Sequence, residues 1–168
     1  HKDHPTMFKA LANLPNDIDL VLTGLLEDHR NPRYLSELKK MAKDLKISNR
    51  IHWLGYIPKI DQIALMRGSI ATIQPTLYEG GPGGGSSANS IAVGKPIILT
   101  DIAVNKEIKD PLAVFFKAGN NKDLAKKMQY VIEHPIKTKP REELIKKGEL
   151  YKIAQSKKLI KIINKAMV

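Results

Sequence analysis

The chain has 168 residues, no cysteine and a formal net charge of +11 at pH 7. This length suits one domain with a buried core, and the lack of cysteine excludes a disulfide framework and thiolate chemistry. No apolar run approaches the roughly 20 residues of a membrane-spanning helix, and no segment resembles a signal peptide.

Strand-like and helix-like patterns alternate along the chain. A first helix, with Met7 and Leu11 on its apolar side, follows Pro5 directly. Short apolar runs predict strands at residues 18–22, 51–54, 70–73, 97–99 and 113–116. Helical spacing or a helix-starting proline predicts helices from residue 31, from residue 58, over 87–93 and over 124–132, and two more after residues 135 and 140.

Strands without alternation, separated by helices, are typical of a parallel sheet covered on both faces. The pattern therefore predicts one α/β domain over residues 1–168, doubly wound and Rossmann-like, with ligands beyond the carboxyl ends of its strands. Because a helix comes first, the first strand of the fold is predicted to be missing. The helices of residues 141–168 are predicted to pack on this domain or to cross away from it.

The positive charge falls mainly on the predicted helices, where lysines interleave with apolar positions. Aromatic residues that could stack on bases are few and unclustered. We therefore interpret the lysines as solvated helix faces and expect no nucleic-acid partner. An attraction to an anionic membrane surface or to a phosphate-bearing substrate is the intermediate interpretation.

A glycine-rich segment follows the strand at 70–73 and reads Tyr-Glu-Gly-Gly-Pro-Gly-Gly-Gly-Ser-Ser over residues 78–87. Its glycines let a ligand approach backbone amides at a helix start, which favours capture of an anion such as a nucleotide phosphate. A tight surface loop is the alternative. The segment fits neither a P-loop nor a dinucleotide fingerprint. Ser86 and Ser87 are predicted to cap the helix that follows.

Glu79 ends this strand on the predicted ligand-binding rim. A carboxylate there can accept hydrogen bonds from sugar hydroxyls or stabilise developing positive charge, although an ion pair with a lysine is the simpler alternative. The five histidines are scattered over different elements, and no metal site is predicted.

Several motifs then occur in a fixed order: residues 51–58 (IHWLGYIP), 75–80 (PTLYEG), 92–97 (AVGKPI), 100–102 (TDI) and 105–108 (NKEI). In order and spacing they resemble the C-terminal half of family 4 (group 1) glycosyltransferases over nearly the whole chain. The resemblance implies the GT-B architecture of two Rossmann-like domains. It also implies transfer of a sugar from a nucleotide diphosphate donor with retention of anomeric configuration.

The resemblance further implies roles for individual residues. Glu79 matches the first carboxylate of the family's Glu-x7-Glu signature, a catalytic residue that contacts the donor sugar near the reacting carbon. Lys2 matches a basic residue that pairs with the donor diphosphate. The other implied contacts are to the sugar and diphosphate at Gly80, Gly81, Gly83, Gly84, Gly85 and Ser86, and to the nucleobase at Gly55, Tyr56 and Ile57.

One signature position departs from the family. Asn89 stands where the second carboxylate normally holds the ribose, and the loop is two residues longer than usual. An amide still donates and accepts hydrogen bonds, but without charge assistance, so ribose binding is expected to be weaker. A glycine-rich form of this loop occurs in members of the family that build surface polysaccharides.

The implied donor is GDP-mannose or a UDP-sugar, and the sequence does not choose between them. No metal or other cofactor is expected, because amides, a helix N-terminus and Lys2 can neutralise the diphosphate. The acceptor, a glycan or lipid-linked molecule, is expected to bind an N-terminal domain that residues 1–168 do not include, so this half alone is expected to be inactive. The expected location is the cytoplasm, with peripheral contact at the inner face of the membrane.

Two other functions stay open at this stage. A non-catalytic nucleotide- or sugar-binding module with a degenerate site is compatible with Asn89, and a nucleic-acid binder is compatible with the charge. The presence of Glu79 together with Lys2 favours the transferase.

Overall fold

The computed structural model describes residues 1–29, 31–137 and 139–166. In chain order these residues form α1 (His4–Leu11), β1 (Leu20–Thr23), α2 (Tyr34–Asp44), β2 (Ile51–Gly55), α3 (Lys59–Gly68), β3 (Thr72–Gln74), α4 (Gly84–Ala92), β4 (Ile97–Thr100), β5 (Ala113–Phe116), α5 (Asn121–Glu133) and α6 (Arg141–Ala166). Single 3₁₀ turns at Ser48–Arg50 and Asn105–Glu107 precede β2 and follow β4.

The five strands pair in parallel, which confirms the predicted α/β class. β1 pairs with β2, and β4 lies between β3 and β5, so the pairing forms two groups, β1–β2 and β3–β4–β5. All four residues of β4 are buried, as expected of a central strand covered by helices on both faces. The carboxyl ends of β3 and β4 consequently meet at one rim.

The core lies mainly under α1 and α5, which pack on each other. Phe8 of α1 is fully buried and meets Trp53 of β2 edge to face, with the ring centroids 5.9 Å apart. Burying a side chain of this size contributes about 1.5–3 kcal/mol. Both helices begin at side-chain caps: Asp3 accepts from the Thr6 amide at 3.2 Å, and Asn120 accepts from the Asp123 amide at 3.0 Å.

A buried arginine anchors β1. The Arg50 guanidinium donates from Nη2 to the carbonyls of Pro15 and Ile18, each at 2.8 Å, and from Nε to Ile18 at 2.9 Å. These carbonyls belong to the connection between α1 and β1, where they would otherwise lack partners inside the protein. Arg50 thereby fixes the entry of the chain into β1.

The structure corrects two predictions. The helix predicted over 87–93 begins at Gly84, so Ser86 and Ser87 lie inside it and cap nothing: Gly83, in the left-handed conformation, is the residue before the helix. The predicted pair of tail helices is one helix, α6, because both prolines precede it and Gly148, its only glycine, costs no more than about 1 kcal/mol. Residues 167 and 168 lie outside the described residues.

Helix α6 contacts the domain near its beginning. Lys147 Nζ lies 2.9 Å from Asp110 Oδ2 in the segment before β5, and the Leu144 side chain packs at Gly94, after α4. Beyond these turns the helix is exposed along its length.

Candidate functional site

The site forms around Glu79. The prediction that Glu79 ends the strand is wrong, because β3 ends at Gln74 and Glu79 lies five residues farther on, in the loop. Glu79 Oε1 lies 2.9 Å from Lys2 Nζ and accepts a second hydrogen bond from Gln74 Nε2 at 2.5 Å. The Glu79 side chain is 13% exposed and the Lys2 side chain 45%. The pair is therefore reachable from solvent through the lysine, whereas the carboxylate is held against the rim.

Backbone pairing brings Lys2 to Glu79. Lys2 and Thr76 form an antiparallel bridge, in which Leu77 donates to the His1 carbonyl at 2.9 Å and Asp3 donates to the Pro75 carbonyl at 3.1 Å. This bridge attaches the segment before α1 to the segment after β3. The sequence gives no local signal for such a contact.

The Glu79 carboxyl has a pKa below its ordinary value. Burial by itself raises this pKa, but the hydrogen bonds from Lys2 and Gln74, together with the Lys2 charge, outweigh the burial and lower it. Glu79 is consequently ionised at neutral pH and presents a fixed negative charge at the rim.

A neutral histidine lies beside the lysine. Burial, followed by the charge of Lys2, lowers the pKa of His4. Its Nδ1 lies 3.1 Å from the Tyr34 hydroxyl, which in turn donates to the Lys2 carbonyl at 3.4 Å. The His4–Tyr34 pair thus supports the backbone of Lys2 without adding charge at neutral pH.

The glycines of the loop fall into two groups. Gly83 and Gly84 have φ of +60° and +58°, and a Cβ at Gly83 would lie 2.1 Å from Ser87 Oγ. These two are glycines for conformational reasons. Gly80, Gly81 and Gly85 have negative φ and open space around the position of a Cβ. Their lack of a side chain serves no packing need and leaves their backbone open to a ligand.

Asn105 connects the loop to β4. This fully buried side chain accepts from the Gly83 amide at 3.0 Å and donates to the Thr100 carbonyl and hydroxyl, each at 3.0 Å. Thr100 Oγ1 donates onward to the Thr76 carbonyl at 2.5 Å. The sequence motif at 105–108 supported the family resemblance, but this positioning role of Asn105 was not predicted. The only available signal was an uncharged polar residue five positions after a buried strand.

One buried oxygen beside Glu79, Gln74 Oε1, lacks a hydrogen-bond partner within the described residues. An unpaired buried polar atom costs about 1–3 kcal/mol.

The residues predicted to bind the ribose and the nucleobase lie away from the glycine loop. Asn89 is half-buried on α4, five residues and so about 7.5 Å along the helix from its start. It follows Ser86 by three positions and therefore shares its helix face. Gly55 ends β2, Tyr56 is 75% exposed, and the Ile57 carbonyl accepts from Gln62 at 3.1 Å. In the part of the chain that the structure describes, no hydrogen bond or ion pair joins residues 55–57 to the glycine loop.

Two searches of the described residues gave negative findings. No three His, Cys, Asp or Glu side chains within residues 1–29, 31–137 and 139–166 come together as a metal site would require. No helix in those ranges is long and apolar enough to cross a membrane.

Comparison with known proteins relates this fold to a family. The model of the family described as Glycosyl transferases group 1 matches residues 1–151. No curated protein matches the sequence. Among solved structures, Anabaena HepE in complex with UDP superposes with a TM-score of 0.71 at 22% identity, over 79% of this chain and 36% of its own. Sucrose-phosphate synthase from Thermosynechococcus elongatus superposes with a TM-score of 0.73 at 17% identity, over 92% of this chain and 43% of its own. A glycosyltransferase from Rickettsia africae superposes with a TM-score of 0.67 at 24% identity, over 79% of this chain and 34% of its own.

The fold is thus that of a Rossmann-like domain from a GT-B glycosyltransferase, as the sequence predicts. The chain belongs to the group 1 glycosyltransferase family, in agreement with the resemblance of its motifs, and is consistent with the C-terminal domain. It spans 34–43% of the length of the three solved structures it was compared with.

Proposed function

We propose that residues 1–168 are the donor-binding half of a retaining glycosyltransferase that uses a nucleotide diphosphate sugar. The observation that carries this proposal is the contact of Lys2 with Glu79 beside glycines whose backbone is open to a ligand. An anionic carboxylate, a partly exposed cation and free amides are the groups that a sugar and its diphosphate require together.

The roles follow from where charge develops. Cleavage of the glycosidic bond increases negative charge on the leaving diphosphate and positive charge on the sugar carbon. Lys2 and the amides of Gly80, Gly81, Gly85 and Ser86 are proposed to stabilise the diphosphate, and Glu79 the sugar. Lys2 must then leave Glu79 when the donor binds, so the ion pair holds both side chains in place before the donor arrives.

The nucleoside is proposed to lie along α4 and toward β2. Asn89 would meet the ribose, and Gly55, Tyr56 and Ile57 the base. The similarity to Anabaena HepE, whose crystal structure contains UDP, favours a UDP-sugar as the donor. GDP-mannose is the alternative donor. No metal is included in this proposal, because Lys2 and the loop amides supply the positive potential.

The acceptor side belongs to the whole protein. A glycan or lipid-linked acceptor is proposed to bind the N-terminal domain across the cleft, in surface polysaccharide synthesis at the inner face of the cytoplasmic membrane. Residues 1–168 alone are then expected to bind donor and to transfer nothing.

A thermal-shift panel with millimolar UDP, GDP, ADP and their sugar conjugates tests donor binding, because a ligand of the folded state raises stability by RT ln(1 + [L]/Kd). We expect a shift with one base. Gly81→Val should abolish it by blocking approach to the loop, since Gly81 has open space in the protein itself. Gly148→Val, the same change at an open glycine of α6, is the matched control. Equal shifts in both variants would place the nucleotide elsewhere.

Asn89 favours a second candidate, a non-catalytic nucleotide- or sugar-binding module. That candidate predicts the same thermal shift but no sugar transfer or donor hydrolysis by the whole protein. Restoring the carboxylate with Asn89→Glu distinguishes the two: a gain in donor affinity with existing activity supports the transferase, whereas binding without turnover in either form supports the module.

A further inference from the structure

A titratable ring lies two residues from Lys2 and is fixed to the same stretch of backbone. The His4 amide donates to the Lys2 carbonyl at 2.5 Å, and the Tyr34 hydroxyl donates to that carbonyl at 3.4 Å. His4 Nδ1 lies 3.1 Å from the Tyr34 hydroxyl, and the two rings meet edge to face with their centroids 5.9 Å apart. Tyr34 therefore holds the imidazole and the main chain of Lys2 as one unit.

Lys2 and His4 also share their access to open space. Both line the same two cavities, of about 510 Å³ and about 560 Å³. The His4 ring is half-buried rather than enclosed. An anion that Lys2 binds from either cavity consequently lies on the same side of the backbone unit as the imidazole.

The charges around His4 already act on it. Burial lowers the pKa of His4 most and the Lys2 charge lowers it next, whereas the Asp3 carboxylate raises it. From α2, the Tyr34 hydroxyl faces the ring. The other titratable residues that line the 560 Å³ cavity are His1, Glu27, Asp28 and His29. A change in the charge that Lys2 presents is therefore felt at His4.

The Lys2–Glu79 pair has no net charge to offer a ligand. Lys2 Nζ lies 2.9 Å from Glu79 Oε1, so the two charges cancel in the free protein. The diphosphate of a nucleotide sugar is a multiply charged anion, and it gains from every cation that lies near it. A group that becomes positive only when the anion arrives would supply such a charge without repelling Lys2 beforehand.

We propose that His4 is a second cation of the diphosphate site, neutral in the free protein and protonated when the donor is bound, so that donor binding takes up a proton from solvent. This inference rests on the donor site proposed above. Because the Tyr34 hydroxyl donates to the Lys2 carbonyl, the ring donates from Nδ1 to the Tyr34 oxygen, and Nε2 takes up the proton. Protonation thus keeps both hydrogen bonds and changes only the charge.

A bound diphosphate raises the pKa of His4 in two ways: it neutralises the Lys2 charge, and it adds negative charge beside the ring. Donor binding then strengthens as the pH falls through the pKa that His4 has in the complex, and the gain is complete below the pKa of His4 in the free protein. We expect the donor to bind about threefold to tenfold more tightly at pH 5.5 than at pH 8.

Isothermal titration calorimetry of the whole protein tests the proposal, with UDP-glucose and GDP-mannose as probes. Their diphosphates are esterified at both ends and lack the terminal phosphate that would itself titrate near pH 6. The dependence of the binding enthalpy on the ionisation enthalpy of the buffer counts the protons taken up. We expect uptake near pH 6.5 that is lost in His4→Gln and kept in His52→Gln, the matched control at an exposed histidine of β2.

NMR titration of the His4 ring is a second measurement and needs no change at His4. Saturating donor should raise the pKa of His4, and Lys2→Met should raise it in the free protein, because the Lys2 charge lowers it there. Lys9→Met, at an exposed lysine of α1, is the control and should leave it unchanged.

The outcomes separate this inference from the proposed function. Donor binding without proton uptake, or with equal uptake in wild type and His4→Gln, would overturn this inference alone. Equal uptake would assign the proton to another group, such as the Glu79 carboxylate that loses Lys2 to the donor. Absence of binding by either nucleotide sugar would overturn the proposed function and this inference together.

Discussion

Lys2 Nζ lies 2.9 Å from Glu79 Oε1, although 77 positions separate the two residues in the chain. One residue belongs to the segment before α1 and the other to the loop after β3, and the bridge between Lys2 and Thr76 brings them together. A donor diphosphate would compete with Glu79 for the same lysine. In the absence of a donor, the pKa of the Glu79 carboxyl therefore shows whether Lys2 is in contact with it.

Lys2→Met should raise the pKa of Glu79, because it removes both a hydrogen bond to the carboxylate and a nearby positive charge. Burial, which already raises this pKa, then acts with less opposition. The measurement is a carbon-detected NMR titration of the Glu79 carboxyl. Lys9→Met, at an exposed lysine of α1, is the control, and an unchanged Glu79 pKa in the Lys2 variant would contradict the ion pair.

The stability of the chain should fall in acid partly through Glu79. Its folded pKa lies below the reference value of 4.5, so the unfolded state takes up the proton first as the pH falls. The stabilising contribution is fully present above 4.5 and is lost as the pH drops through the folded pKa.

Glu79→Gln should therefore reduce the free energy of unfolding at pH 7 and flatten its fall below pH 4.5, as measured by urea denaturation across pH. Glu149→Gln, at an exposed carboxylate of α6, serves as control. Parallel pH profiles for wild type and Glu79→Gln would show that Glu79 has no linked proton.

Asn105→Ala should destabilise the domain by about 1–3 kcal/mol, because it leaves the Gly83 amide and the Thr100 carbonyl without their buried partner. It should also weaken nucleotide binding, since Asn105 holds the start of α4 against the rim. Urea denaturation and the nucleotide thermal shift measure the two effects. Asn13→Ala, at an exposed asparagine, should change stability by less than about 0.5 kcal/mol. An equal loss of unfolding free energy in both variants would contradict the positioning role of Asn105.

Gly83→Ala and Gly85→Ala make the same chemical change two positions apart with opposite expected results. At Gly83 the new methyl group overlaps Ser87 and the backbone has positive φ, so a loss of about 1–3 kcal/mol is expected. At Gly85 nothing lies within 4 Å, and alanine in a helix should raise stability by up to about 1 kcal/mol. Thermal denaturation compares them, and a similar loss in both would mean that the loop conformation described here is wrong.

The sequence predicts the central strand well because a strand buried on both faces is a short apolar run with clear ends, as at 97–99. The sequence predicts poorly those helix boundaries and strand pairings that depend on residues far away in the chain. The start of α4 at Gly84 depends on Asn105, which fixes the Gly83 amide from beyond β4. The separation of β1 from β3 is likewise invisible in either strand, since local apolar pattern does not state which neighbours a strand finds.

Candidate site residues divide in the same way. Glu79 and the glycines could be placed from their position after a strand, and Lys2 only through the family resemblance, because nothing in a lysine two residues from the start of the sequence indicates a carboxylate 77 positions away. The roles of these residues in donor binding stay predictions.

Amide NMR of the chain during titration with UDP and with GDP tests the central claim most directly. The account predicts that one nucleotide shifts the amide signals of Gly80, Gly81, Gly85 and Lys2, with smaller changes at Asn89 and Tyr56 and none along α6. If neither nucleotide moved the glycine signals, in this chain or in the whole protein, or if the changes clustered away from Glu79, the donor site proposed here would be wrong.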